Sequence, residues 1–135
     1  MSFDEDALLV RAVGDVGGLA GARRGAEMGV RRLKKNVLEI DLALDMPPQA
    51  AADRARQVLS QQGKLLNING DDGPATLVVG IVGAGVGNLN PAVVSVTIDK
   101  AENGSKLVIR GAAKEGLIKQ RAGEAAAKRV AAAMT

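Results

Sequence analysis

The sequence predicts an α+β protein: a curved antiparallel sheet in the order β-α-β-β-β-β-α, with a long C-terminal helix packed on one face. Three observations predict it. Residues 38–46, LEIDLALDM, place a large apolar side chain at every second position, the signature of a half-buried strand. Four further β-prone runs follow one another too closely for parallel crossovers, which need roughly ten or more intervening residues. Residues 114–134, KEGLIKQRAGEAAAKRVAAAM, then carry a helical period to the end of the chain.

Each element has a local reason. In the first strand Leu38, Ile40, Leu42, Leu44 and Met46 share one face, and Glu39, Asp41, Ala43 and Asp45 the other. Pro47-Pro48 ends that strand, and proline is tolerated in the first turn of a helix, so QAAADRARQVLSQQ can begin there. Ala51, Ala55, Val58 and Leu59 fall on one face of this helix, and Gly63 is placed to terminate it. KLLNIN (64–69) is the second strand, and Gly70-Asp71-Asp72-Gly73-Pro74 reads as a turn, because it lacks the further acids of a calcium loop. ATLVVGIVG (75–83) is the third strand. AVVSVTIDK (92–100) is the fourth, with Val94, Val96 and Ile98 opposite Ser95, Thr97 and Asp99. Asn103-Gly104 predicts a type I′ hairpin, which requires positive φ at both central residues. It leads into SKLVIRGA (105–112). On the last helix Ile118, Ala122, Ala125, Ala126 and Val130 share a face built largely of alanine.

Composition removes whole classes of chemistry. The 135 residues contain no cysteine and no histidine, so thiolates, disulfides, zinc fingers and every triad with an imidazole base are absent. Phe3 is the one aromatic residue, which counts against base stacking on single-stranded nucleic acid. No run reaches the roughly 18–20 apolar residues of a membrane span. The acidic start, MSFDEDALL, does not read as a secretory signal, and the expectation is a soluble cytoplasmic protein without an integral membrane segment. Glu39, Asp41 and Asp45 share a strand face, where alternation with an apolar face predicts solvation rather than a metal site or paired catalytic carboxylates. No cofactor, metal or catalytic residue is expected.

LVVGIVGAGVGNLNP (77–91) invites comparison with a dinucleotide-binding loop. That loop needs a helix after the glycines to receive the pyrophosphate, and here a strand follows. Its third glycine would fall at Asn88. Gly80, Gly83, Gly85 and Gly87 are therefore expected to mark a bent strand and an irregular hairpin end, where glycine permits bulges and positive φ.

A strand, a helix, four antiparallel strands and a long last helix, over residues 36–135, resemble the TATA-binding-protein-like class of folds that includes the helix-grip or START-like proteins. The resemblance is one of topology and carries no functional residue with it. It implies a sheet wrapped on the final helix, with an apolar small molecule in the gap between them. Leu42, Leu44, Val96, Ile98, Ile109, Ile118, Ala122 and Ala126 would line such a pocket. The alternative is that the small residues of the last helix simply let it approach the sheet closely.

Residues 1–35 differ in texture from the rest and are expected to form a glycine-rich arm, partly helical or mobile, beside a single domain at 36–135. Residues 1–19 carry four acids against Arg11, and residues 20–35 six bases against Glu27. The basic stretch, residues 22–35, is the candidate for an acidic partner, nucleic acid or an anionic membrane, through Arg23, Arg24, Arg31, Arg32, Lys34 and Lys35. Otherwise it is a solubilising arm. The expected function is thus non-catalytic: binding of an apolar ligand under the last helix, or alternatively interaction through the basic stretch. An edge strand also leaves pairing with a second copy open.

Overall fold

The computed structural model describes residues 5, 7–9, 35–66, 71–72, 75–84, 90–114 and 121–135. Strand β1 (Lys35–Leu44) leads to helix α1 (Pro48–Gln62), then β2 (Gly63–Leu66), β3 (Asp71–Asp72), β4 (Ala75–Ala84), β5 (Asn90–Ala101), β6 (Gly104–Lys114) and helix α2 (Ala122–Met134). All pairings are antiparallel, in the order β1-β6-β5-β4-β2, with the short β3 paired to β4. The sheet is open, and both helices lie on one face of it. The α+β class and the packing of the C-terminal helix agree with the sequence pattern.

The helix-side core is aliphatic. Val78 and Val82 of β4, Val94, Val96 and Ile98 of β5, and Leu107 and Ile109 of β6 meet Ala51, Ala55, Val58 and Leu59 of α1 and Ala122, Ala126, Ala127 and Val130 of α2. Each such valine or leucine removed from water contributes about 1.5–3 kcal/mol, so the near-absence of aromatics is offset by number and close approach. Pro47 occupies the N-cap of α1 and Pro48 its first turn, where a missing N–H costs nothing. Pro47 also accepts the first helical bond, from the Ala51 N–H at 3.0 Å.

Several local expectations are corrected. The last helix does not start at Lys114: that residue ends β6 opposite Lys35, and the helix begins at Ala122. Its buried face includes Gly123, Ala127 and Met134, whereas Ala125 is only half-buried. The hairpin forms where expected, but its two loop residues are Glu102 and Asn103, because Ala101 pairs with Gly104. Among the described residues only Arg121 and Gly104 have positive φ, so Asn103 does not adopt the type I′ conformation. Gly104, at φ 145°, leaves no room for a Cβ beside the Leu44 carbonyl. Asp71 and Asp72 pair with Thr76 and Ala75 rather than forming the turn.

The bulges expected at the glycines of β4 are also absent. Pairing with β5 runs unbroken from Thr76 to Ala84, through Gly80 and Gly83. Gly80 sits in close packing instead: a Cβ there would stand 3.1 Å from both the Leu59 Cβ and the Lys64 carbonyl oxygen. Gly63 follows the same logic, being extended at φ −174° but pressed onto the Ile81 carbonyl. Gly85 and Gly87 lie outside the described residues.

Candidate functional site

The proposed pocket residues sit on the helix side. Val96, Ile98, Ile109, Ala122 and Ala126 are fully buried among one another and their neighbours, while Leu42 and Leu44 are half-buried on edge strand β1. Ile118 lies outside the described residues. At the N-terminal end of α2 the helix backbone meets the sheet backbone. A Cβ at Gly111 would collide with the Gly123 carbonyl and stand 2.9 Å from the Ala127 Cβ, and one at Gly123 would collide with the Asn36 carbonyl. The C-terminal half is tied down by Arg129, which donates to the Gly83 carbonyl at 3.1 Å, and by Gln62, whose amide donates to the Arg129 carbonyl at 3.4 Å.

The opposite face of the sheet has a second, separate core. Val79 of β4, Val93 of β5 and Ala112 of β6 are buried there, with Val37, Leu66, Leu77 and Ile81 packed around them. What joins them is the N-terminus: residues 5 and 7–9 are helical, Leu9 is fully buried in this patch, and Leu8 packs beside it. Four residues before Leu9, on the same face of a helical turn, Glu5 reaches two cations. Its Oε1 accepts from Lys35 Nζ at 3.0 Å, and its Oε2 accepts from Arg110 Nε at 3.0 Å. Arg110 Nη2 closes a fork onto Oε1 at 3.3 Å.

The Glu5 side chain is 11% exposed, and both of its oxygens are hydrogen-bonded by those partners. The hydrogen bond to Glu5 is the largest influence on Arg110; it raises the guanidinium above its ordinary value against partial desolvation, helped by the Glu5 charge and by Glu39. Glu39 accepts from Arg110 Nη1 at 2.8 Å. One arginine thus holds an exposed carboxylate from the neighbouring strand and a nearly buried one from the N-terminus. This arrangement holds a carboxylate placed one helical turn from a leucine.

Of the basic-arm residues, Lys35 is described; it begins β1 and belongs to this clamp. Arg23, Arg24, Arg31, Arg32 and Lys34 lie outside the described residues. Asp45, Met46, Pro48, Lys100, Glu102 and Gly104 line an open surface depression of about 340 Å³ between the β1–α1 turn and the β5–β6 hairpin, to which none of the expected pocket residues contributes. Among the described residues there is no cluster of acids that could hold a metal ion, and no helix is long and apolar enough to cross a membrane.

The alternation expected for residues 92–100 missed the second core, though the sequence holds a signal for it. LVVGIV and AVVSV are nearly continuous apolar runs, the pattern of strands covered on both faces, rather than strict alternation. Glu5, Leu8 and Leu9 have i, i+3, i+4 spacing, but five residues are too few to predict a helix. The long-range pairing of Glu5 with Arg110 has no local signal.

No protein-family model and no curated protein matches the chain. Among solved structures, it is similar to that of an uncharacterized protein from Rhizobium leguminosarum, at 13% identity over 75% of this chain and 95% of that one, with a TM-score of 0.36. A likeness at this level bears on neither mechanism nor partner.

Proposed function

We propose that the protein is a non-catalytic binding module that works through the sheet face opposite its helices, where Lys35 and Arg110 take the carboxylate of an acidic, leucine-bearing helical segment. One observation carries this reading: the chain's own Glu5 and Leu9 already occupy that face as such a segment would, one in the charge clamp and one in the apolar patch. The basic stretch enters the reading through Lys35, and cytoplasmic residence is part of the proposal.

The test uses a chain lacking residues 1–9 and a synthetic peptide of those residues. Saturable shifts of the Val93, Ala112 and Arg110 resonances are expected, with loss of binding for the Glu5→Lys peptide. Shifts that fail to appear at about millimolar peptide, the effective concentration of a tethered segment, sink the proposal.

The second reading, an apolar ligand under the last helix in a reduced helix-grip module, is favoured by Leu38, Ile40, Leu42 and Leu44. These form a half-buried apolar strip along β1. Native mass spectrometry after exposure to mixed lipids tests it: a retained lipid-like mass supports the strip as a site, and repeated absence of one removes it.

A further inference from the structure

We propose that the N-terminal segment is exchanged between two copies of this chain, the Glu5 and Leu9 of one copy filling the clamp and patch of the other. The proposal rests on the docking reading above and adds the identity of the partner.

Three observations lead there. First, the complementarity is already specified: a fork from Arg110, a second bond from Lys35 and an apolar patch for Leu9 fit this segment, and every copy carries both halves. Exchange then needs no new interface, which is why swapping is a low-cost route to a dimer. Second, residues 10–34, 25 residues in all, separate the segment from β1. A segment joined to its site only through sequence meets, at roughly millimolar protein, a comparable concentration of the same segment on neighbouring copies.

Third, another route to a dimer, pairing of β1 with its own copy, meets a charge conflict in its central registers. β1 is an edge strand, and antiparallel pairing with its own copy in its central registers places like charges opposite each other. Centred on Glu39, the pairing sets that carboxylate against its counterpart; centred on Ile40, it sets Glu39 against Asp41. Like charges directly opposite are destabilising, and acids on an edge are a known guard against sheet extension. Self-association through the opposite face avoids this conflict.

The experiment uses the full chain. Glu5→Arg and Arg110→Glu are made separately and together. Each single variant breaks the clamp within its own copy and within its homodimer. An equimolar mixture restores opposite charges in both sites of a heterodimer. Sedimentation is expected to show each single variant monomeric, the mixture dimeric at a concentration about tenfold below that at which the wild type dimerises, and the double variant associating more weakly than the wild type, because Lys35 and Glu39 are left facing like charges. A mixture that remains monomeric up to about 1 mM overturns the proposal.

Because Arg110 also holds Glu39, the wild type supplies a measurement that does not depend on the variants folding. In an equimolar mixture of isotope-labelled and unlabelled protein at about 1 mM, intermolecular Leu9–Val93 contacts are expected, and their absence overturns the proposal. Failure of the underlying reading looks different. In that case Glu5→Arg leaves amide exchange at Leu8 and Leu9 unchanged, whereas failure of exchange alone leaves those amides protected in a monomer.

Discussion

The Asn36 side-chain oxygen accepts the backbone N–H of Glu124 at 2.9 Å, across 88 residues of sequence. Glu124 is the third residue of α2, and Arg121 before the helix offers no side-chain cap. A residue of β1 therefore satisfies one of the helix's unpaired N-terminal donors and fixes where the helix starts on the sheet. Asn36→Ala is expected to cost about 1 kcal/mol. Urea unfolding checks the size, and faster hydrogen exchange at Glu124 localises it.

Gly123 would be improved by alanine if helix propensity alone decided, by about 1 kcal/mol. Tertiary packing reverses the sign, because a Cβ there meets the Asn36 carbonyl and stands 2.9 Å from the Gly111 carbonyl oxygen. Gly123→Ala is expected to destabilise by about 1–3 kcal/mol through forced separation of helix and sheet. A raised urea midpoint would show that α2 does not lie this close.

Arg121 stands before α2 at φ 51° and ψ 44°, a left-handed conformation that costs a residue with a Cβ about 1 kcal/mol. It is exposed, and no side-chain cap repays the strain. Arg121→Gly is expected to stabilise by a few tenths to about 1 kcal/mol, less any attraction lost between Arg121 and Glu124. Thermal unfolding of the two proteins in parallel decides the sign.

The hydrogen bond from Lys128 to Glu124, at 2.8 Å, is the main cause that holds the Glu124 carboxyl below its ordinary value, followed by the charges of Lys128 and Arg121. A depressed carboxylate contributes stability that is present above its unfolded value and lost as pH falls through its folded one. Glu124→Gln should therefore be less stable than wild type at neutral pH, with the difference closing as pH falls through and below the ordinary glutamate range. The pair is exposed, so added salt should shrink the difference as well. A gap independent of pH and salt would point to packing rather than charge.

What the sequence determined by itself is set by periods that neighbouring residues carry. Leu38 to Leu44 announce a half-buried strand, Ala51 to Leu59 a helix face, and the run of close-spaced β segments an antiparallel sheet with a terminal helix. These survive because burying one face of a strand or helix dictates a repeat of two or about 3.6. Tertiary structure decided what depends on distant partners. Gly63, Gly80, Gly111 and Gly123 look alike in sequence as breakers, yet each is a point of close approach whose partner is long-range. The start of α2 depends on Asn36 and not on its own cap. Glu5, locally one acid among several, becomes the key to the second face only because β1 and β6 bring Lys35 and Arg110 within reach of one carboxylate. Charge pairing and backbone contact act over a few ångströms of space, and no local repeat encodes which residues folding will place there.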